Sequence, residues 1–214
     1  MRKTGWIGAA LLLLSAGTWA VEVGLVTALS GTVKLQEEKS AVSELKPFIK
    51  VREGDRLTLQ GNARLQLVFF DGGRQETWQG AGALEVGGVS SKAVIGGLQA
   101  EVRTLPAILV KQLSKTPAPD GSVKTGMIRM RSMPSVVKPE ELEQNYAELR
   151  KQVEASDHNP ELYLLASYFE LREFDKLEGV LKQLREKSPG DAQIAMLNSL
   201  YSRAIKAAKT TDPR

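Results

Sequence analysis

The chain has 214 residues, 42% of them hydrophobic and 25% charged, with a formal net charge of +4 and no cysteine. This is ordinary composition for a globular protein of one large domain or two small ones, and it excludes collagen-like, coiled-coil and wholly disordered chains. Disulfides, zinc–thiolate sites and thiol nucleophiles are excluded too, and so small a charge offers no footprint for nucleic acid or an anionic membrane.

The first twenty residues read as a secretory signal peptide. Arg2 and Lys3 precede the apolar run Trp6 to Leu14, and Ser15 to Ala20 are mostly small. Cleavage is expected after Ala20, which lowers the formal charge to +2 and leaves no cysteine for a lipid anchor. The apolar run is too short for a bilayer, and later apolar patches, such as Leu105 to Val110 with its Pro106, are shorter still. The expected location is therefore the periplasm, with no membrane insertion after cleavage.

Residues 21–90 read as an all-β domain, a small sandwich or short solenoid. Strands are predicted at Val23 to Leu29, Thr32 to Leu35, Pro47 to Val51, Arg56 to Leu59, Ala63 to Phe70, Arg74 to Gln79 and Ala83 to Val86. Gln36 to Lys46 is charged enough for a solvated loop. Within Ala63 to Phe70, Ala63, Leu65, Leu67 and Phe69 alternate with Arg64 and Gln66, and Asp71-Gly72 supplies the residues of a tight hairpin turn. Gly80, Gly82, Gly87 and Gly88 are turn glycines, since no Lys-Ser/Thr follows them as a phosphate loop requires.

Gly31-Thr32-Val33, Val51 to Leu57 (VREGDRL) and Leu65 to Gly73 (LQLVFFDGG) resemble the successive signatures of the FecR-like domain. That resemblance implies a periplasmic all-β module used for ligand or protein contact rather than catalysis. The chain departs from the family on the return strand, where Arg74, Gln75, Glu76, Thr77 and Gln79 are polar and only Trp78 is large and apolar. FecR proteins relay a signal through a transmembrane helix to a cytoplasmic sigma factor, and this chain shows neither part.

Residues 91–138 form a connector. Leu98 to Leu113 is expected as a helix interrupted at Pro106, Lys115 to Thr125 as an exposed linker, and Met127 to Arg131 as one added strand. Arg129 and Arg131 on that strand are edge residues by default, and their paired donors also suit a carboxylate or phosphate.

Residues 139–208 change to helical periodicity, giving an α+β fold overall. Leu142, Tyr146, Leu149 and Val153 mark a first helix, with Leu162, Leu165, Ala166 and Phe169 marking the second. Leu177, Val180, Leu181 and Leu184 mark a third, and Ile194, Leu197, Tyr201 and Ile205 a fourth. Asp157, Asn159 and Pro160 open the second helix, and Ser188 to Asp191 separates the third from the fourth. Leu162 to Pro189 resembles a tetratricopeptide repeat with a shortened turn and Leu177 at the helix crossing, which implies a concave surface for a protein or peptide. The alternative is that the helices cover the β domain. Residues 209–214 are expected to be a disordered tail.

No catalytic, metal or cofactor residue is expected. His158, the single histidine, lies in a loop before a helix and has no second ligand. Ser43-x-x-Lys46 and Ser135-x-x-Lys138, with Lys124-Thr125-Gly126, match two elements of penicillin-recognising enzymes, but the Ser-x-Asn element is missing. Glu37-Glu38 and Glu140-Glu141 read as solvated charge. The expected function is a non-enzymatic exported module that binds a partner protein or envelope ligand. Glycan or peptidoglycan binding is the alternative, and an acyl-serine hydrolase the weakest. Phe70, Trp78, Arg129 and Arg131 form the candidate contact surface, while partner identity and oligomeric state stay open.

Overall fold

A computed structural model of the chain describes residues 21–37, 40–117 and 139–211. The strands are β1 (Glu22–Ser30), β2 (Val33–Gln36), β3 (Ser43–Glu44), β4 (Lys50–Arg52), β5 (Arg56–Leu59), β6 (Arg64–Phe69), β7 (Arg74–Gln79), β8 (Gly82–Val86), β9 (Ser91–Ile95) and β10 (Ala100–Thr104). They form two antiparallel five-stranded sheets, ordered β10-β7-β6-β1-β4 and β3-β2-β5-β8-β9. The helices are α1 (Ala107–Leu113), α2 (Pro139–Lys151), α3 (Asn159–Leu171), α4 (Phe174–Lys187) and α5 (Ala192–Thr211). The fold is thus α+β. No helix among the described residues is long and apolar enough to cross a membrane.

The sheets pack face to face over one core. Val26, Leu65, Leu67, Phe69 and Trp78 from the first sheet meet Val33, Leu35, Leu57, Leu59, Leu84 and Val86 from the second. The opposite face of the first sheet is covered in turn, because Leu25, Val68 and Phe48 share a second core with α1 and the other helices. Strands β1 and β6 are therefore buried on both faces. This is why Leu25-Val26 and Val68-Phe69 are buried as adjacent pairs, where an alternating strand on a solvated sheet buries every second residue.

The hairpin of β6 and β7 forms where the sequence places it, with Leu65 opposite Trp78 and Val68 opposite Gln75. Gly72 and Gly73 make the turn at φ of 72° and 65°. A Cβ on Gly73 would lie 2.8 Å from the Leu105 carbonyl oxygen, so this position needs glycine for space as well as for backbone conformation. The Gly73 carbonyl accepts the Leu105 N–H at 2.8 Å, which ties the turn to the start of α1.

Three strands exceed the sequence expectation: β3, β9 and β10. Leu98 to Leu113 is not one interrupted helix. Its first half is the strand β10, paired with β7 from Ala100↔Trp78 to Thr104↔Arg74, and α1 begins only after Pro106. Proline has no N–H to give a preceding turn and fits the entry to a helix, so it divides strand from helix here.

The four later helices follow the predicted pattern. Asp157 Oδ1 accepts the Asn159 N–H at 2.9 Å as α3 begins, with Pro160 in its first turn, and Asp191 Oδ1 accepts the Gln193 N–H at 2.7 Å as α5 begins. Helix α3 is buried continuously from Asn159 to Tyr168, since it packs against α1, α2 and α4 at once. Two polar bonds fasten helices to sheet. Asn159 Nδ2 donates to Gln75 Oε1 at 3.2 Å, and the Leu29 N–H donates to Gln193 Oε1 at 3.1 Å.

Candidate interaction site: the open edge of the sandwich

Strand β7 explains its own polar sequence. Gln75 points to the helical layer and bonds Asn159, while Glu76, fully buried, points between the sheets. Glu76 accepts from Arg74 Nε at 2.6 Å, from Trp78 Nε1 at 3.0 Å and from the Ser91 N–H at 3.1 Å. One carboxylate thus satisfies donors from both sheets and holds β9 over β7. Burying a charge without such partners costs several kcal/mol, so about three donors around one carboxylate is what such a site requires.

Among the described residues, the first sheet ends beyond β7 at β10, and the second ends beyond β8 at β9. The Leu105 N–H bonds the Gly73 carbonyl in the same register that sets Arg103 opposite Gln75 and Glu101 opposite Thr77. In an antiparallel ladder, alternate residues turn their N–H and C=O groups to the same side. Glu101, Arg103 and Leu105 therefore face β7, and the backbone groups of Ala100, Val102 and Thr104 face outward from the edge. Val102 is 42% exposed, and on β9 Val94 and Ile95 are 37% and 62% exposed. Glu101 and Arg103 ion-pair along β10 at 2.7 Å on the face shared with Gln75. The edge combines backbone groups with no partner among the described residues, apolar side chains and one charge of each sign.

A second polar cluster lies in the helical layer. Glu161 accepts from Tyr146 Oη at 2.9 Å and Arg150 Nη1 at 3.1 Å, with His158 Nδ1 3.9 Å away. Arg150 also donates to the backbone carbonyls of Val153, Glu154 and Asp157. Burial alone would raise the Glu161 pKa, but His158, Tyr146 and Arg150 together bring it below the usual value. The Tyr146 hydroxyl is pushed up to about 12, by burial first and by the Glu161 charge second. Burial also raises Asp157, against the opposing Asn159 N–H and Arg150 charge. The cluster fixes the α2–α3 connection beside a cleft of about 90 Å³ lined by Gln75, Arg103, Leu109, Asp157 and Pro160.

Of the residues picked from sequence, Phe70, Trp78, His158 and Ser43 are described. Trp78 is 4% exposed in the core between the sheets and so serves packing, while Phe70 packs partly buried against the helical core. Phe69 is fully buried on the other side of the strand. Arg129, Arg131, Ser135, Lys138 and Lys124-Thr125-Gly126 lie outside the described residues. His158 belongs to the Glu161 cluster instead of standing free in solvent. Ser43 is exposed on the two-residue strand β3, beside a shallow depression of about 380 Å³. Extended backbone there does not set Lys46 one helical turn after Ser43, the arrangement a Ser-x-x-Lys pair needs. Among the described residues no group of three or more His, Asp or Glu side chains converges as metal ligands.

Sequence reasoning missed the edge. Its strand β10 is almost wholly exposed, so no buried face marks it in the sequence. No family model matches this chain, and neither a search of curated proteins nor one of solved structures returned a match.

Proposed function

We propose that the chain is a non-enzymatic interaction module of the periplasm, exported by its first twenty residues. In this reading a FecR-like β domain spans residues 21–90, and tetratricopeptide-like hairpins at residues 139–208 brace it. It works by holding a partner protein. One observation carries the reading: the side of the sandwich formed by β9 and β10 offers outward backbone groups together with exposed Ile95 and Val102. An extended segment of a partner adds to such an edge by main-chain hydrogen bonds, and apolar side chains beside it supply specificity.

Glycan binding takes second place. Phe69 and Trp78, which would stack on sugar rings, are enclosed in packing, and Phe70 is partly covered by the helices. The polar clusters also support a binding role over a hydrolytic one. Glu76 and Glu161 are each engaged by several donors, which ties their carboxyl oxygens into structural contacts.

The test is retention from an envelope extract by the chain from Val21 onward, compared with its Ile95→Asp/Val102→Asp variant. The expected result is a protein held by the wild type and absent from the folded variant. Identical retention by both, or none by either, contradicts the proposal.

A further inference from the structure

We infer that β10 pairs with β10 of a second copy of this chain, antiparallel about a two-fold axis through Val102. This rests on the reading of the open edge as a contact surface and goes further by naming the occupant. Charge identifies it. Reversing Ala-Glu-Val-Arg-Thr against itself with Val102 opposite Val102 sets Glu101 opposite the second copy's Arg103, and Arg103 opposite the second copy's Glu101.

The backbone phase agrees independently. The groups of Ala100, Val102 and Thr104 face outward, and this register matches Val102 with Val102 and Ala100 with Thr104, giving about six main-chain hydrogen bonds across the axis. Glu101 and Arg103 then occupy the non-hydrogen-bonded pairs, where opposed side chains come closest. A slip of one residue in either direction destroys the match, because it sets Glu101 opposite Thr104 or Val102 and changes which backbone groups meet. An isologous contact of this kind closes after two copies, so it yields a dimer and not a fibre.

Five residues a side bury less than the roughly 1,000 Å² of a stable interface, so the dimer belongs to the weak, concentration-dependent class. The test is sedimentation velocity of the chain from Val21 onward, from dilute solution up to about 0.5 mM, a range suited to that class. Wild type is compared with Glu101→Arg, Arg103→Glu and a one-to-one mixture of the two variants. Each variant alone opposes like charges twice across the axis and is expected to lose at least about tenfold in association. The mixture opposes Arg to Glu at both pairs and is expected to recover dimer, a result that loss of folding in either variant cannot produce.

The chain has no cysteine, so Val102→Cys introduces a lone thiol whose mate across the axis lies about 5.5 Å away between Cα atoms, within disulfide range. Mild oxidation is expected to yield a covalent dimer far faster from this variant than from Val42→Cys, an exposed position just before β3. A wild type that stays monomeric, a mixture no better than its components, or equal cross-linking at residues 42 and 102 overturns the inference. A wild type that does not self-associate yet still retains an envelope protein through the Ile95/Val102 surface would sink the second copy and leave the broader proposal standing.

Discussion

Removing the Glu76 carboxyl group tests whether the two sheets are locked by one buried side chain. In Glu76→Ala the Trp78 Nε1–H and the Ser91 N–H both lose their acceptor, at 3.0 Å and 3.1 Å in the native protein. Trp78 is 4% exposed, so water does not readily replace the lost partner of its N–H. Each orphaned donor costs about 1–3 kcal/mol, and Arg74, at 40% exposure, is left half-solvated with a smaller penalty. The expected loss is about 3–5 kcal/mol, the usual size for a broken buried pair.

Glu76→Gln keeps one acceptor oxygen and turns an NH₂ toward a donor, so about 2–3 kcal/mol is expected. The assay is urea unfolding followed by tryptophan fluorescence. Trp6 and Trp19 precede Val21, so in a chain starting there Trp78, directly bonded to Glu76, is the sole reporter. Glu101→Gln, on an exposed side chain, is the control and should move stability by less than about 0.5 kcal/mol. A Glu76→Ala protein within about 1 kcal/mol of wild type would refute the lock.

Three further outcomes follow from the same geometry. Asp157 has a folded pKa above its unfolded one, so its contribution is present at low pH and lost as pH rises through the folded value. Asp157→Asn should therefore gain on wild type as pH rises from 3 to 7 in thermal melts, and a constant difference would contradict this. Glu161 has the opposite sign, with stability present at neutral pH and lost as pH falls through its lowered pKa. Glu161→Gln should be least stable relative to wild type at pH 7 and converge with it in acid. Gly72→Ala, with φ of 72° and open space around the new Cβ, should cost about 1 kcal/mol. Gly73→Ala, with φ of 65° and Leu105 O at 2.8 Å, should cost about 2–3 kcal/mol in denaturant titration. Equal losses would remove the steric part of the argument.

The sequence makes legible those elements whose burial is one-sided. Leu65, Leu67 and Phe69 alternate because one sheet face meets one core, and Leu177, Leu181 and Leu184 recur because one helix stripe does. Where burial is two-sided the pattern fails, as at Leu25-Val26, or in α3, where consecutive residues from Asn159 to Tyr168 are covered from several directions. Edge strands fail for the opposite reason. Glu101, Val102, Arg103 and Thr104 are all exposed, so no core imprints its period, and the strand exists because β7 offers its backbone. Phe70 and Trp78 attracted attention as contact residues by size, and size is also what a core selects. The polar run of β7 hid Gln75 and Glu76, since one-dimensional reading assigns polar residues to solvent and cannot see the donors that two distant segments bring to them.

The most direct measurement of the central claim is residue-resolved amide hydrogen exchange along β10. In dilute protein the account predicts alternation, with slow exchange at Glu101, Arg103 and Leu105, whose N–H groups turn to β7, and fast exchange at Ala100, Val102 and Thr104. Raising the protein concentration should slow only the second set. Protection of Val102 at the lowest concentration would show that the edge is already covered, and would contradict its role as a contact surface.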